Sequence, residues 1–157
     1  MLIRYADDFV CAFQYQEDAI KFFKDLPNRL GKFGLLLAPE KSGMMRFSRF
    51  HPSRSRKIVF LGFETYWTID LQGKPRVMQR TARKKLLGAL RRIKEWIKLN
   101  RHLKGKEFIT ALNRRLHGHY NYYSVVGNLR SLWHFYHALV PVITVLCGRL
   151  VVALAAP

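Results

Sequence analysis

Apolar positions change their spacing about halfway along this chain. Up to about residue 75 they come in short runs broken by polar residues, and from about residue 81 they recur every three or four positions. Ile3, Tyr5, Phe9, Val10 and Phe13 are good strand formers around Ala6-Asp7-Asp8, so residues 2–14 predict two short strands. From about Glu17, Ile20, Phe23, Leu26 and Leu30 share one helical face. Pro27 should bend or limit that helix, and Gly31 and Gly34 mark its end. Leu35-Leu36-Leu37 predicts a short buried strand, Ala38 to Gly43 a loop, and Met44 to Phe47 a returning strand. His51 to Lys57 is a polar, basic loop, Ile58 to Tyr66 one further strand, and Asp70-Leu71-Gln72-Gly73 a turn. Strands joined in this way imply an antiparallel sheet with one helix packed on it, the layer of an α+β fold.

Residues 81–100 then read as a helix with Leu86, Leu90, Ile93 and Ile97 as its apolar stripe. Arg83, Lys84, Lys85, Arg91, Arg92, Lys94 and Lys98 cover much of the remaining surface. A second helix starts near Lys106, with Phe108, Leu112, Leu116 and Tyr120 four residues apart, and a third starts near Leu129 with Asn128 at its N-cap. The shift in composition places a boundary at about residues 75–80. It separates a sheet-and-helix portion, 1–76, from a helical portion, 77–140, and an apolar tail, 141–157.

Composition sharpens this picture. Hydrophobic residues make up 49% of the 157, enough for a core, so disorder is not the default. Against 10 acidic residues stand 28 Lys and Arg, a net charge of +18. Such an excess repels itself in a compact fold unless a polyanion accompanies it, and nucleic acid comes before anionic lipid. Cys11 and Cys147 form no CxxC pair and no disulfide framework, which fits a reducing cytosol. Residues 1–5 lack the basic leader, long apolar stretch and cleavage site of a signal peptide.

Tyr5-Ala6-Asp7-Asp8 carries the sharpest chemistry. Adjacent carboxylates on a tight turn repel one another, and divalent cations remove that cost by taking them as oxygen ligands. Two such metals can activate a hydroxyl and stabilise a leaving oxygen in phosphoryl transfer. The plain alternative is a solvated Asp-Asp turn.

With its flanking strands, Tyr5-Ala6-Asp7-Asp8-Phe9 resembles the active-site box of reverse transcriptases, and more narrowly of the reverse transcriptase/maturase proteins encoded by group II introns. Further segments agree in order. Gly34-Leu35-Leu36-Leu37 with Pro39-Glu40-Lys41-Ser42 resembles the next palm motif, and Phe60-Leu61-Gly62-Phe63 the motif at the palm–thumb junction. Arg80 to Lys98 resembles the first thumb helix. Leu112-Asn113 through Leu116, Gly118-His119-Tyr120-Asn121-Tyr122-Tyr123 and Gly127-Asn128 resemble the maturase signature. The match spans roughly residues 1–140.

The resemblance implies RNA-directed DNA polymerisation with Mg²⁺, on a palm followed by an α-helical thumb that assists intron splicing. Asp7 and Asp8 would be catalytic metal ligands. Tyr5 and Ala6 would lie beside the primer terminus and incoming nucleotide, Lys41 near the nucleotide or template backbone, and Gly62 where the chain approaches the primer. The thumb cations, with Arg114, Arg115, Asn121, Tyr122 and Tyr123, would bind RNA. Implied partners are intron RNA, an RNA/DNA template–primer duplex, dNTPs and a separate N-terminal polymerase fragment, in a cytoplasmic ribonucleoprotein rather than a membrane.

Departures from the family set a further expectation. The family uses another aspartate from a strand upstream of the box, and this sequence starts four residues before the box. Glu17, Asp18 and Asp25 fall on a helix and Glu40 in a loop, so none replaces it. The isolated chain is therefore expected to bind RNA without polymerising, and a non-catalytic maturase-type splicing factor is the alternative. A third reading is a general basic nucleic-acid binder.

The remaining features have plainer readings. Charged helical faces are commonly just solvated, but here Trp96, Tyr120, Tyr122, Tyr123, Trp133 and Tyr136 interleave with the cations and could stack on bases. At helical spacing, Tyr120, Phe135 and Tyr136 are more often core. His117, His119, His134 and His137 lack Cys or carboxylate partners for zinc, and His119 should pack or hydrogen-bond within the thumb. Ala138 to Pro157 has the length of a membrane span, but Pro141 and Gly148-Arg149 count against one. A sticky tail is the preferred reading.

Overall fold

A computed structural model describes residues 1–147. The fold is mixed α+β, with two small antiparallel sheets and four α-helices among the described residues. The chain divides into two compact units after Ser48. The compositional shift near residue 76 thus falls inside the second unit.

The first unit opens with the hairpin β1 (Leu2–Tyr5) and β2 (Asp8–Cys11), in which Tyr5 pairs with Asp8 and Leu2 with Cys11. Helix α1 (Gln16–Gly31) follows and runs through Pro27 instead of stopping there. Its end is set by glycine. Gly34, at φ +69°, lets its own N–H reach the Gly31 carbonyl and the Leu35 N–H reach the Leu30 carbonyl, a Schellman closure. Phe13 meets Phe22 of α1 at 5.1 Å between ring centroids. No side chain in this unit is buried. Every residue of β1 is exposed.

Two expectations fail here. Leu35-Leu36-Leu37 is no buried strand: Leu36 is 97% exposed, and the segment pairs with no strand. Met44 to Phe47 is likewise outside any strand. A short apolar run becomes a strand only where a neighbour accepts its ladder bonds, and neither segment lies in a sheet ladder. A short 3₁₀ turn, Pro39–Lys41, lies between them.

In the second unit, strands β3 (Lys57–Phe60), β4 (Phe63–Ile69) and β5 (Pro75–Thr81) form a meander. The continuous strand expected over Ile58–Tyr66 is therefore a hairpin. It turns at Leu61 (φ +48°) and Gly62 (φ +81°), the two positive φ values of a tight hairpin turn. The turn at Asp70 is as expected: its Oδ1 accepts from the N–H groups of Gln72 and Lys74, both at 2.9 Å. Glu64 is buried in β4, and its two oxygens accept from Lys57 Nζ at 2.7 Å and Arg80 Nε at 2.8 Å. Burial alone would raise its carboxyl, but these two cations hold it below the ordinary carboxylate value.

Helices α2 (Arg83–Asn100), α3 (Gly105–Tyr123) and α4 (Leu129–Cys147) supply the core. The stripes of α2 and α3 are those that the spacing predicts, and α4 adds a third. Ile93 and Ile97 of α2 close against Phe108, Leu112, Leu116 and Tyr120 of α3 and Leu132, Phe135, Leu139 and Ile143 of α4. Leu139 and Ile143 are each 1% exposed, so this stretch is an integral part of a core helix and no loose tail. Residues 148–157 of the expected tail lie outside the described residues. No helix among the described residues is long and apolar enough to cross a membrane.

Candidate nucleic-acid interface

The hairpin of the first unit places its acidic pair at the tip. With Tyr5 opposite Asp8, the central turn residues are Ala6 and Asp7. Ala6 has φ +53°, a left-handed conformation that costs a non-glycine residue about 1–2 kcal/mol. The Arg4 guanidinium steadies it, Nε donating to the Ala6 carbonyl at 2.7 Å. Tyr5, Ala6, Asp7 and Asp8 are all exposed. Among the described residues no group of three or more His, Cys, Asp or Glu side chains is placed to hold a metal ion. The adjacent Asp7 and Asp8 are therefore two donors with no third beside them. Mg²⁺ commonly takes one or two protein carboxylates and fills its shell with water and phosphate, so this pair fits it as a partial shell. Lys41 closes the exposed 3₁₀ turn of the same unit.

In the second unit, three of the motif segments meet at one joint. The Tyr122 hydroxyl donates to the Leu61 carbonyl at 2.8 Å. Phe63 stacks on Tyr122 at 5.9 Å and meets Tyr123 edge-on at 5.2 Å. A Cβ on Gly62 would stand 3.0 Å from the Tyr123 hydroxyl, so glycine is needed here for both space and φ. Gly62 also accepts from the Ala82 N–H at 2.8 Å, which ties the turn to the start of α2.

Asn128 completes the joint. It stands at the head of α4, its carbonyl accepting from Ser131 and Leu132, but its side chain does not cap that helix. Instead Oδ1 accepts from the Thr81 N–H at 2.7 Å, while Nδ2 donates to Thr81 Oγ1 at 2.9 Å and to the Tyr123 carbonyl at 2.8 Å. The fully buried amide thus joins the end of β5 to the end of α3. Gly62, Tyr122, Tyr123 and Asn128 accordingly act first as architecture. Of these, Tyr122 also keeps an exposed flank, beside the exposed Asn121.

The basic residues remain on the surface. Arg83, Lys84 and Lys85 crowd the first turn of α2, which has no acidic residue and no side-chain cap. Cations at that end oppose the helix dipole, so a nearby anion would relieve them. Arg91, Lys94 and Lys98 line a shallow groove with Leu87, Leu90 and Glu95, and Arg91 reaches Glu95 at 4.0 Å. Arg114 and Arg115 are exposed on α3, and Arg92 on α2. Among the described residues only Lys57, Arg80 and Arg91 form ion pairs with acidic side chains.

The aromatics divide much as their helical spacing suggests. Tyr120 and Phe135 are buried, Tyr136 is half-buried, and Trp133 is exposed with its ring stacked on His137 at 5.1 Å. His119 packs flat on Phe135 at 3.8 Å. Burial, and then the charge of Arg92, push its imidazole down to about 4, so it is neutral at pH 7. Sequence reasoning missed the contact between Trp96 and Arg115, whose guanidinium lies 4.3 Å from the indole centroid. The two residues sit on different helices, and only their chemical types hinted at the pairing. Set against family models, curated proteins and solved structures, the chain matches none of them.

Proposed function

We propose that this chain is the RNA-binding portion of an RNA-directed DNA polymerase of the group II intron reverse transcriptase/maturase kind, and that it does not polymerise alone. The observation that carries the proposal is the set of exposed, unpaired cations on α2 and α3 over an ordered helical core. A folded unit that keeps so many positive charges without acidic partners is suited to a phosphate backbone. The acidic hairpin supports the polymerase part of the reading. Two carboxylates at the tip of a ribbon whose first strand is exposed could reach a primer and a nucleotide phosphate, where a bound Mg²⁺ would neutralise charge on the transferred group. A two-stranded ribbon is marginal in water by itself, and a palm sheet would cover it with further strands.

A second reading, a maturase-type splicing factor without catalysis, is favoured by one observation. The buried core and the joint built from Gly62, Tyr122, Tyr123 and Asn128 lie in a unit that contains neither Asp7 nor Asp8. Fluorescence anisotropy on the purified chain, with a structured intron RNA and an unrelated duplex, tests the binding. We expect saturable RNA binding that Asp7→Asn and Asp8→Asn leave intact, and no primer extension with Mg²⁺ and dNTPs. Extension that disappears in Asp7→Asn would overturn the claim of inactivity, and failure to bind either RNA would overturn the whole reading.

A further inference from the structure

Between α2 and α3 lies a cleft of about 410 Å³ lined by Ala89, Arg92, Ile93, Trp96, Arg115 and His119. Its walls combine two guanidinium groups with apolar surface and no carboxylate. Arg115 is already oriented, its guanidinium on the Trp96 ring at 4.3 Å and its Nη1 donating to the Ala111 carbonyl at 3.2 Å. Phe108 stacks on Trp96 at 5.5 Å, so the indole is braced from within the core. A guanidinium fixed by stacking loses little freedom when it binds, and its remaining N–H groups match the geometry of a phosphate. Arg92 supplies a second fork in the same cleft, with no ion pair among the described residues. The buried His119 Nε2 has no hydrogen-bond partner, and the imidazole, neutral at pH 7, adds no third charge.

We propose that this cleft is a seat for a single phosphate group, gripped between Arg92 and Arg115. The seat rests on the RNA-binding reading only for the source of its phosphate, which would be an internal diester or a terminal monoester of single-stranded RNA. The apolar wall of Ala89 and Ile93 leaves room beside the phosphate for the attached sugar.

The test uses the intact chain and NMR of the Trp96 indole and the His119 ring, with inorganic phosphate as the first probe. Short single-stranded RNAs with a 5′-phosphate or a 5′-hydroxyl follow. Saturable shifts of both rings are expected, lost in Arg92→Gln and Arg115→Gln and kept in Arg130→Gln, an exposed cation of α4 that does not line the cleft. Arg92 is exposed, so its replacement leaves the core intact. Arg115→Lys keeps the charge but loses the fork, and should weaken RNA binding about tenfold, the loss of one charge-assisted contact. A response to both RNAs assigns the seat to a backbone diester, and a response to the 5′-phosphorylated RNA alone assigns it to a terminal monoester. Absence of saturable shifts with every probe, or equal loss in Arg130→Gln, would overturn the seat. RNA binding unchanged in Arg115→Lys would remove it from the RNA face while leaving the RNA-binding reading in place. Phosphate filling the cleft of a chain that ignores RNA would keep the seat and remove that reading.

Discussion

At the scale of single residues, the joint around Asn128 is a sensitive point in the second unit. Its amide satisfies a buried backbone N–H, a buried hydroxyl and a carbonyl at once. Asn128→Ala leaves these groups without partners, and should lower stability by about 2–3 kcal/mol in urea denaturation. His119 supplies a pH dependence. Its folded value of about 4 lies below the ordinary 6.5, so the unfolded chain takes the proton more readily. Stability from this group is complete above about pH 6.5 and falls as pH drops towards about 4. Denaturation midpoints measured across that window should fall with pH, and the slope should flatten in His119→Gln. Sequence reading gave His119 a packing or hydrogen-bonding role, and its place on Phe135 is the packing one. It gave Asn128 a capping role, which the Thr81 contact replaces.

Secondary-structure elements were legible where their signals are local. The first two helices of the second unit follow apolar spacings of three and four, and their buried residues are largely those on the expected stripes. Leu116 is 1% exposed at the centre of α3. Leu116→Ala should destabilise the chain by about 2–5 kcal/mol, read from the shift in thermal unfolding, because the helices around it cannot fully collapse onto the void. The β-meander was less legible. Leu61 is an unusual residue for a positive φ, so Phe60-Leu61-Gly62-Phe63 reads as uninterrupted strand until the hairpin is seen. Strand β5 begins at a proline and carries Arg76, Gln79 and Arg80, which dilute any alternation.

For the molecule as a whole, charge is the controlling quantity. Among the described residues most cations are exposed and without acidic partners, so association with RNA should depend steeply on salt. A contact with six or more phosphates would lose about a thousandfold in affinity between 50 and 200 mM salt. Anisotropy titrations over that range check it, and a flat salt response would leave the cations without a polyanion role. The same charges would repel one another at low salt in the free chain, so RNA should also raise its unfolding temperature.

What the sequence determined by itself is what short-range physics encodes. Alternating and strand-forming residues around Asp7 and Asp8 specify a hairpin, and Gly34 and Gly73 occupy positive-φ positions in their turns. Spacings of three and four specify helices and their buried faces. The positive charge is a property of composition and needs no fold to be read. Tertiary structure decided the rest. It left Leu35-Leu36-Leu37 outside any strand, with Leu35 and Leu36 exposed. It brought Asn128 to Thr81 across 47 residues and Tyr122 to Leu61 across 61, and it set Arg115 on Trp96. No periodicity encodes such contacts, because they depend on how whole helices and strands pack, and the packing is chosen by the summed burial of many side chains rather than by any one segment.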